Sequence, residues 1–226
     1  YNTTPQDVIS TATFAQKILT GTVTMTDLEY AQNAGPEQIV DLLAEKMKVL
    51  EASLSNQIGT SIYADGTGSG GKEVGGLKLL VSDAPTSGTV GQINRANYSF
   101  WQNKLYDFSV ESVTPSATTI LAAFNQLYLR CQAQMGKLPD MIAADSVYFS
   151  YFETATLTIQ RITNDKIGAI GFDNLKYKSS DVFYDPECPA SHAYFINTNH
   201  IFLKYLGKSL FTKGEATRPY NQPAYV

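Results

Sequence analysis

The stretch from Pro36 to Gln57, PEQIVDLLAEKMKVLEASLSNQ, decides how the rest of the chain is read. Gly35-Pro36 predicts a helix start, because proline at the first helical position gives up only an N–H that has no partner there. Glu37 and Asp41 fall near the positive end of the helix dipole, where negative charge is favourable. Ile39, Leu43, Met47, Leu50 and Leu54 recur at steps of four, four, three and four, drawing one apolar stripe that is the expected core face. Val40, Leu42 and Val49 widen it, and Glu45, Lys46, Lys48 and Glu51 mark the solvated side. At ~1.5 Å per residue such a helix runs about 33 Å, enough to cross a small domain. It predicts a rod on which sheet and loops are laid.

Outward from that rod, bulk properties narrow the function classes. A chain of 226 residues can bury a real core as one large domain or two small ones. The apolar fraction of 43% is that of a globular protein. A formal charge of −4 argues against a dedicated nucleic-acid binder, which would carry a basic face. No apolar run reaches the roughly 18 residues a membrane span needs, and no signal-peptide pattern opens the chain. Cys131 and Cys188 lie far apart, which suits a reducing, cytosolic folding environment better than a disulfide scaffold. The chain opens on Tyr1 rather than methionine, the expectation for a processed product or a fragment. Charged residues reach only 17%, against a typical quarter, while tyrosines number 14 and phenylalanines 11. Interfaces are depleted in charge and enriched in aromatics, so the composition leans toward a surface covered by neighbours, although it also fits a tyrosine-rich monomer.

Before the rod, Thr13 to Thr26 (TFAQKILTGTVTMT) reads as a long strand, with Thr22, Thr24 and Thr26 alternating against Val23 and Met25. Gly21 marks a bulge or bend, and residues 27–35 turn into the helix. A strand with no hairpin partner beside it must pair elsewhere, or on another chain. After the rod comes a loop dense in glycine. Within it Gly66 to Lys72 (GTGSGGK) has the spacing of a phosphate cradle, but Glu73 stands where a magnesium-binding Ser or Thr is required. No buried strand leads in and no helix leads out, so a flexible surface loop is the better reading. Residues 76–81 read as a short apolar strand. Tyr98, Phe100 and Trp101 with Arg95 could stack a base or sugar, but more often make a satellite core under a loop.

From Thr114 the pattern becomes regular. Thr114-Pro115-Ser116 predicts the cap of a helix with Ile120, Leu121, Phe124, Leu127, Tyr128 and Cys131 on one face, ended by Gly136. Residues 141–144 read as a buried strand, and Asp145 or Ser146 caps a second helix through Val147, Phe149, Phe152 and Leu157 toward Ile162. Residues 175–177, 182–184, 192–196 and 201–206 are strand-like, with a turn at Ser179-Ser180 between the first two. Residues 105–206 therefore predict an α/β unit with helices on a central sheet, followed by a polar tail from Gly207, strand-like around Leu210-Phe211.

Chemistry-bearing residues are sparse. Cys188, His192 and His200 lack a fourth ligand at any familiar zinc spacing, and a Cys188–His192 nucleophile pair has no evident orienting acid. Carboxylates are scattered singly, without a pair for acid–base work. Nothing here predicts an enzyme, a metal or a cofactor.

The order of parts carries a resemblance. Asn33-Ala34-Gly35 precedes the helix, and Asp65-Gly66-Thr67 leads to Gly75-Gly76-Leu77. Gly88-Thr89-Val90-Gly91 follows, with Asn94-Arg95-Ala96 and Ser99-Phe100-Trp101. Further on stand Pro139-Asp140, Ala143-Ala144-Asp145, Gln160-Arg161-Ile162-Thr163, Cys188-Pro189-Ala190 and Tyr194-Phe195. In that order the chain resembles the major capsid protein family of tailed bacteriophages, the Hong Kong-type capsid fold. The resemblance implies an α+β chain in which 1–27 is the returning half of an extended E-loop arm. Residues 28–104 would be a P domain built on the spine helix 36–57 and the glycine-rich loop, 105–206 an α/β A domain, and 207–226 a return strand to the P domain. It implies that Phe14, Ile18, Val23 and Met25 contact a neighbouring subunit, while Ile39, Leu43, Met47, Leu50 and Leu54 form the spine-helix core. It implies hexamers and pentamers of an icosahedral shell in the virion, assembled in the host bacterial cytoplasm. Scaffold, portal or decoration proteins would be the partners, with packaged double-stranded DNA held without sequence-specific binding and no membrane. Two alternatives stay open: a related cargo-enclosing nanocompartment shell, and a nucleotide-binding enzyme using the 66–72 loop.

Overall fold

The computed structural model describes residues 11–33, 41–132, 138–163, 175–207 and 210–212. They form two compact units, one of 11–17 with 60–201 and the other of 18–59 with 202–212.

In the second unit a short helix, α1 (Asp27–Gln32), replaces the simple turn expected there. Its start is a reciprocal cap. The Glu29 N–H donates to Thr26 Oγ1 at 3.3 Å while Glu29 Oε2 accepts the Thr26 N–H at 3.0 Å, which satisfies two donors that a helix start leaves orphaned. The rod is α2 (Leu42–Ile62), whose last three residues, 60–62, belong to the first unit. Its expected opening at Gly35-Pro36 and the core residue Ile39 lie outside the described residues. Asp41, expected only to favour the dipole, is its cap, accepting the Ala44 N–H at 3.1 Å. The helix passes Gln57 and Gly59 and ends at Ile62.

The expected strand over Thr13–Thr26 is corrected: residues 11–26 carry no strand. Their one backbone–backbone bond among the described residues runs from the Thr13 N–H to the Gly91 carbonyl at 3.1 Å. A strand exists only through a partner's ladder, and alternation alone supplies none. For the same reason residues 201–206 are not a strand either.

In the first unit the glycine loop forms a short turn, α3 (Gly68–Gly71), with Ser69 and Gly70 at φ 52° and 68°. The apolar run expected as a strand over 76–81 is instead a helical turn, α4 (Leu77–Leu80). The Gly76 carbonyl accepts the N–H groups of Leu79 and Leu80, both at 3.2 Å. A Cβ on Gly76 would overlap the carbonyls of Ser61 and Ile62, so glycine is required for α4 to start flush against the end of α2. A run as short as Leu-Lys-Leu-Leu is compatible with either state, and this packing chose helix. A small hairpin follows, β1 (Thr89–Val90) with β2 (Ile93–Asn94). Gly91 and Gln92 at its tip both have positive φ, 59° and 66°, as a two-residue primed turn demands.

The remaining elements are α5 (Ile120–Gln132), β3 (Met141–Ala144), α6 (Ser146–Thr163), β4 (Leu175–Tyr177), β5 (Ser180–Tyr184) and β6 (Ala193–Ile196). Helix α5 begins at Ile120, after Ser116 and Thr119 have closed its first turn; the expected stop at Gly136 lies outside the described residues. Lys178, at φ 53°, shares the β4–β5 turn with Ser179, while Ser180 pairs with Tyr177 inside the ladder. The sheet order is β4-β5-β3-β6, with β3 parallel to β5 and antiparallel to β6. Period-2 alternation sorts its side chains onto two faces. Ile142, Leu175 and Val182 join Ile120, Phe124, Phe152 and Ala155 of α5 and α6 in the main core, against which Ala193 and Phe195 also pack. Met141, Tyr194 and Ile196 face the other way, onto Tyr63, Leu77 and Cys188.

Candidate functional site

Cys188 and His192, the pair weighed as a nucleophile and its base, are both engaged by the fold. Cys188 is buried beneath Tyr63 and Tyr194, its Sγ 3.6 Å from the His192 carbonyl. Burial above all, then the nearby Asp145 and Asp185 carboxylates, pushes its thiol up to about 12, so it is not a thiolate nucleophile near neutral pH. His192 points elsewhere, with Nδ1 2.7 Å from the Ala190 carbonyl and Nε2 3.2 Å from Asp83. The two residues, four apart in sequence, thus turn their side chains to different partners, in keeping with the structural reading. His200 is exposed. Among the described residues no three His, Cys, Asp or Glu side chains are placed to hold a metal ion. No helix of the described residues is long and apolar enough to cross a membrane.

The phosphate-cradle reading of 66–72 fails on geometry. The Glu73 carboxylate takes the Gly68 N–H at 3.1 Å, occupying the place an anion would need. Asp65 accepts the Thr67 amide and hydroxyl at 2.9 and 2.7 Å, and the Lys17 ammonium donates to the Gly71 carbonyl. Two acidic groups and a helix leading in are the reverse of what a phosphate loop presents. The stacking reading fails too. Arg95 is 2% exposed, its guanidinium donating to the Leu79 and Leu80 carbonyls and to Asn103. Trp101 donates its indole N–H to the Val90 carbonyl at 3.0 Å. Tyr98 and Phe100 lie exposed and tilted against each other.

What remains is surface. Every buried side chain among the described residues belongs to the span from Ser61 to Ile196. Phe14 is exposed, resting near Gly91, and Ile18 is 84% exposed. Val23 and Met25 are half-buried. Of the expected spine core, Leu43 stands 48% exposed, and Met47, Leu50 and Leu54 are only half-buried. The inward face of α2 runs through Leu42, Met47, Leu50, Leu54 and Ile58. Gly21 is a close-approach glycine rather than a bulge: a Cβ there would overlap Leu50.

Two features escaped the sequence reading. The T-x-x-E signature at Thr26–Glu29 could have been found, since it is a capping-box pattern. The salt link of Glu29 to Lys46, at 3.0 Å, had no sequence signal, because a helical surface charge has no preferred partner until the fold supplies one.

No protein-family profile and no curated protein sequence matches the chain. Among solved structures, a chain described as the cyanophage A-1(L) capsid asymmetric unit is similar at 17% identity and a TM-score of 0.43, covering 68% of this chain and 47% of that one. This chain thus spans about half the length of the solved one.

Proposed function

We propose that this chain is a major capsid protein, which self-assembles as hexamers and pentamers into the icosahedral head around the double-stranded DNA of a tailed phage. In that reading α2 is the spine helix, 11–26 belongs to the projecting arm, and the sheet with α5 and α6 is the axial domain. The observation that carries the proposal is the confinement of the buried side chains, among the described residues, to 61–196. Outside that span Ile18, Leu28, Val49, Phe202, Leu203 and Leu206 are 59–85% exposed. Burying apolar area is the main force for association, worth roughly 25 cal/mol per Å², so these segments gain most from neighbours of the same kind. A symmetric lattice repeats each such contact at every subunit. The motif order from Asn33 to Phe195 supports the same reading. No catalytic group is asked of the chain, and tight DNA binding is not needed, which suits its negative charge.

The test is electron microscopy and sedimentation of the purified protein over a range of concentration and salt. Closed shells, or hexamers and pentamers, are the expected result. A monodisperse monomer throughout, with 11–26 ordered on its own subunit, would sink the proposal.

A further inference from the structure

We propose that Lys46 is a latch that holds residues 18–29 against α2 in the free subunit, and that assembly proceeds from the unlatched state. The second part rests on the capsid reading above.

The Lys46 ammonium lies 3.0 Å from Glu29 Oε2 and 3.3 Å from the Thr24 carbonyl, so one side chain of α2 grips the segment on both sides of the α1 cap. Glu29 is presented to it in a fixed orientation, because the same carboxylate oxygen accepts the Thr26 N–H at 3.0 Å. These donors, the Thr26 amide first and Lys46 next, hold the Glu29 carboxyl below its ordinary range and keep the latch charged. Ahead of the grip, Gly21 lies flush on the Leu50 and Leu54 side chains, so a side chain there would have to displace the tip of Leu50.

The hold is shallow. Thr22, Val23 and Thr24 on one side and Glu45, Lys46, Val49, Leu50 and Ser53 of α2 on the other border an open trough of about 430 Å³, so the segment leans on the helix without closing over it. The ion pair is itself partly solvated, at 31% and 43% side-chain exposure, which makes it a weak fastening. Ile18 and Leu28, toward either end of the segment, stand 84% and 61% exposed. A weak ionic grip over a flush glycine is the arrangement of a segment that opens readily, and opening uncovers the Leu50–Leu54 face of α2 for a neighbour.

The experiment follows amide hydrogen exchange and light scattering on the full chain, comparing the natural protein with Lys46→Met and Gly21→Val. Lys46→Met keeps the aliphatic stem and removes the charge, while Gly21→Val crowds the Leu50 and Leu54 side chains with the ion pair intact. Exchange at the amides of Thr26 and Glu29 should quicken about three- to fivefold in Lys46→Met and by a smaller factor in Gly21→Val. The β3 and β5 amides should be unchanged, and both variants should begin to assemble sooner at equal concentration. Unaltered exchange in both variants overturns the latch. Faster exchange with equal or slower assembly overturns its restraining role. If the natural protein forms no shells under any condition, the capsid reading fails, while the exchange data still decide the latch.

Discussion

Residues 60–201 and residues 18–59 with 202–212 draw on the same apolar vocabulary and use it differently. In the first, Ile120, Phe124, Ile142 and Phe152 interlock at 4% exposure or less, with Phe124 stacked on Phe152 and edge-on to Phe195 and Tyr177. In the second, Leu42, Met47, Leu50 and Leu54 make an equally regular stripe, yet none is buried. The stripe on α5 meets a sheet that the chain itself completes. The stripe on α2 meets a segment with no ladder, held there by a close glycine contact and by Lys46, which reaches both Glu29 and the Thr24 carbonyl. Periodicity says that a helix has an inner face. It does not say that the same chain supplies the cover.

Phe152→Ala tests the closed side of this contrast and should show the largest effect. At 1% exposure it should cost about 3–5 kcal/mol in urea unfolding, as large-to-small changes in a packed aromatic core do. A loss below 1 kcal/mol would mean the core is not as tight as its exposure implies. Gly76→Ala comes next, at about 1–3 kcal/mol, because the new methyl would meet the Ser61 and Ile62 carbonyls and must move backbone. A neutral outcome would show that α4 is not seated on the end of α2.

The open side should behave in the opposite way. Replacing Val23 and Met25 together by aspartate should shift the unfolding of the free subunit by less than about 1 kcal/mol and, on the proposed capsid reading, abolish shell formation in sedimentation. Unfolding of that variant, or normal assembly, would place 11–26 as an ordinary internal segment. From the stripe alone, Leu43→Asp would abolish folding. At 48% exposure it should cost under about 1 kcal/mol in the free chain, read by circular dichroism melting. Insoluble protein would restore Leu43 to a core.

The smallest effect is a pH dependence. The hydroxyl and amide of Thr198 hold the Asp140 carboxyl below the usual carboxylate range, and the Thr26 amide and Lys46 do so for Glu29. A carboxyl whose folded pKa is depressed contributes stability that is complete above its unfolded value, near 4, and is lost as pH falls through the folded value. Amide exchange at Thr198 and Thr26 should therefore be flat, after correction for intrinsic rates, from pH 7 down to about 5. Below pH 4 it should quicken. Loosening that begins near pH 6 would point to a different group.

Much of the sheet unit was legible in the sequence. The bounds of β3 and β4, and the Asp145 cap of α6, follow from signals carried within a few residues: a Met-Ile-Ala-Ala run, and a carboxylate that accepts the Tyr148 N–H at 2.9 Å. Helix existence and the inner face of α5 follow from a 3.6-residue period that any solvent reveals. Tertiary structure decided the remainder. It made residues 77–80 helix rather than strand, because Gly76 had to fit against the carbonyls at the end of α2. It left 11–26 and 201–206 without ladders, since a strand is a property of two segments and the sequence describes one at a time. It turned Asp145 into a double acceptor by bringing the Ser191 N–H to its second oxygen at 2.8 Å, across 46 residues of chain. Local geometry is written in neighbouring residues, whereas burial is a relation between distant ones, and only the folded chain states which of them meet.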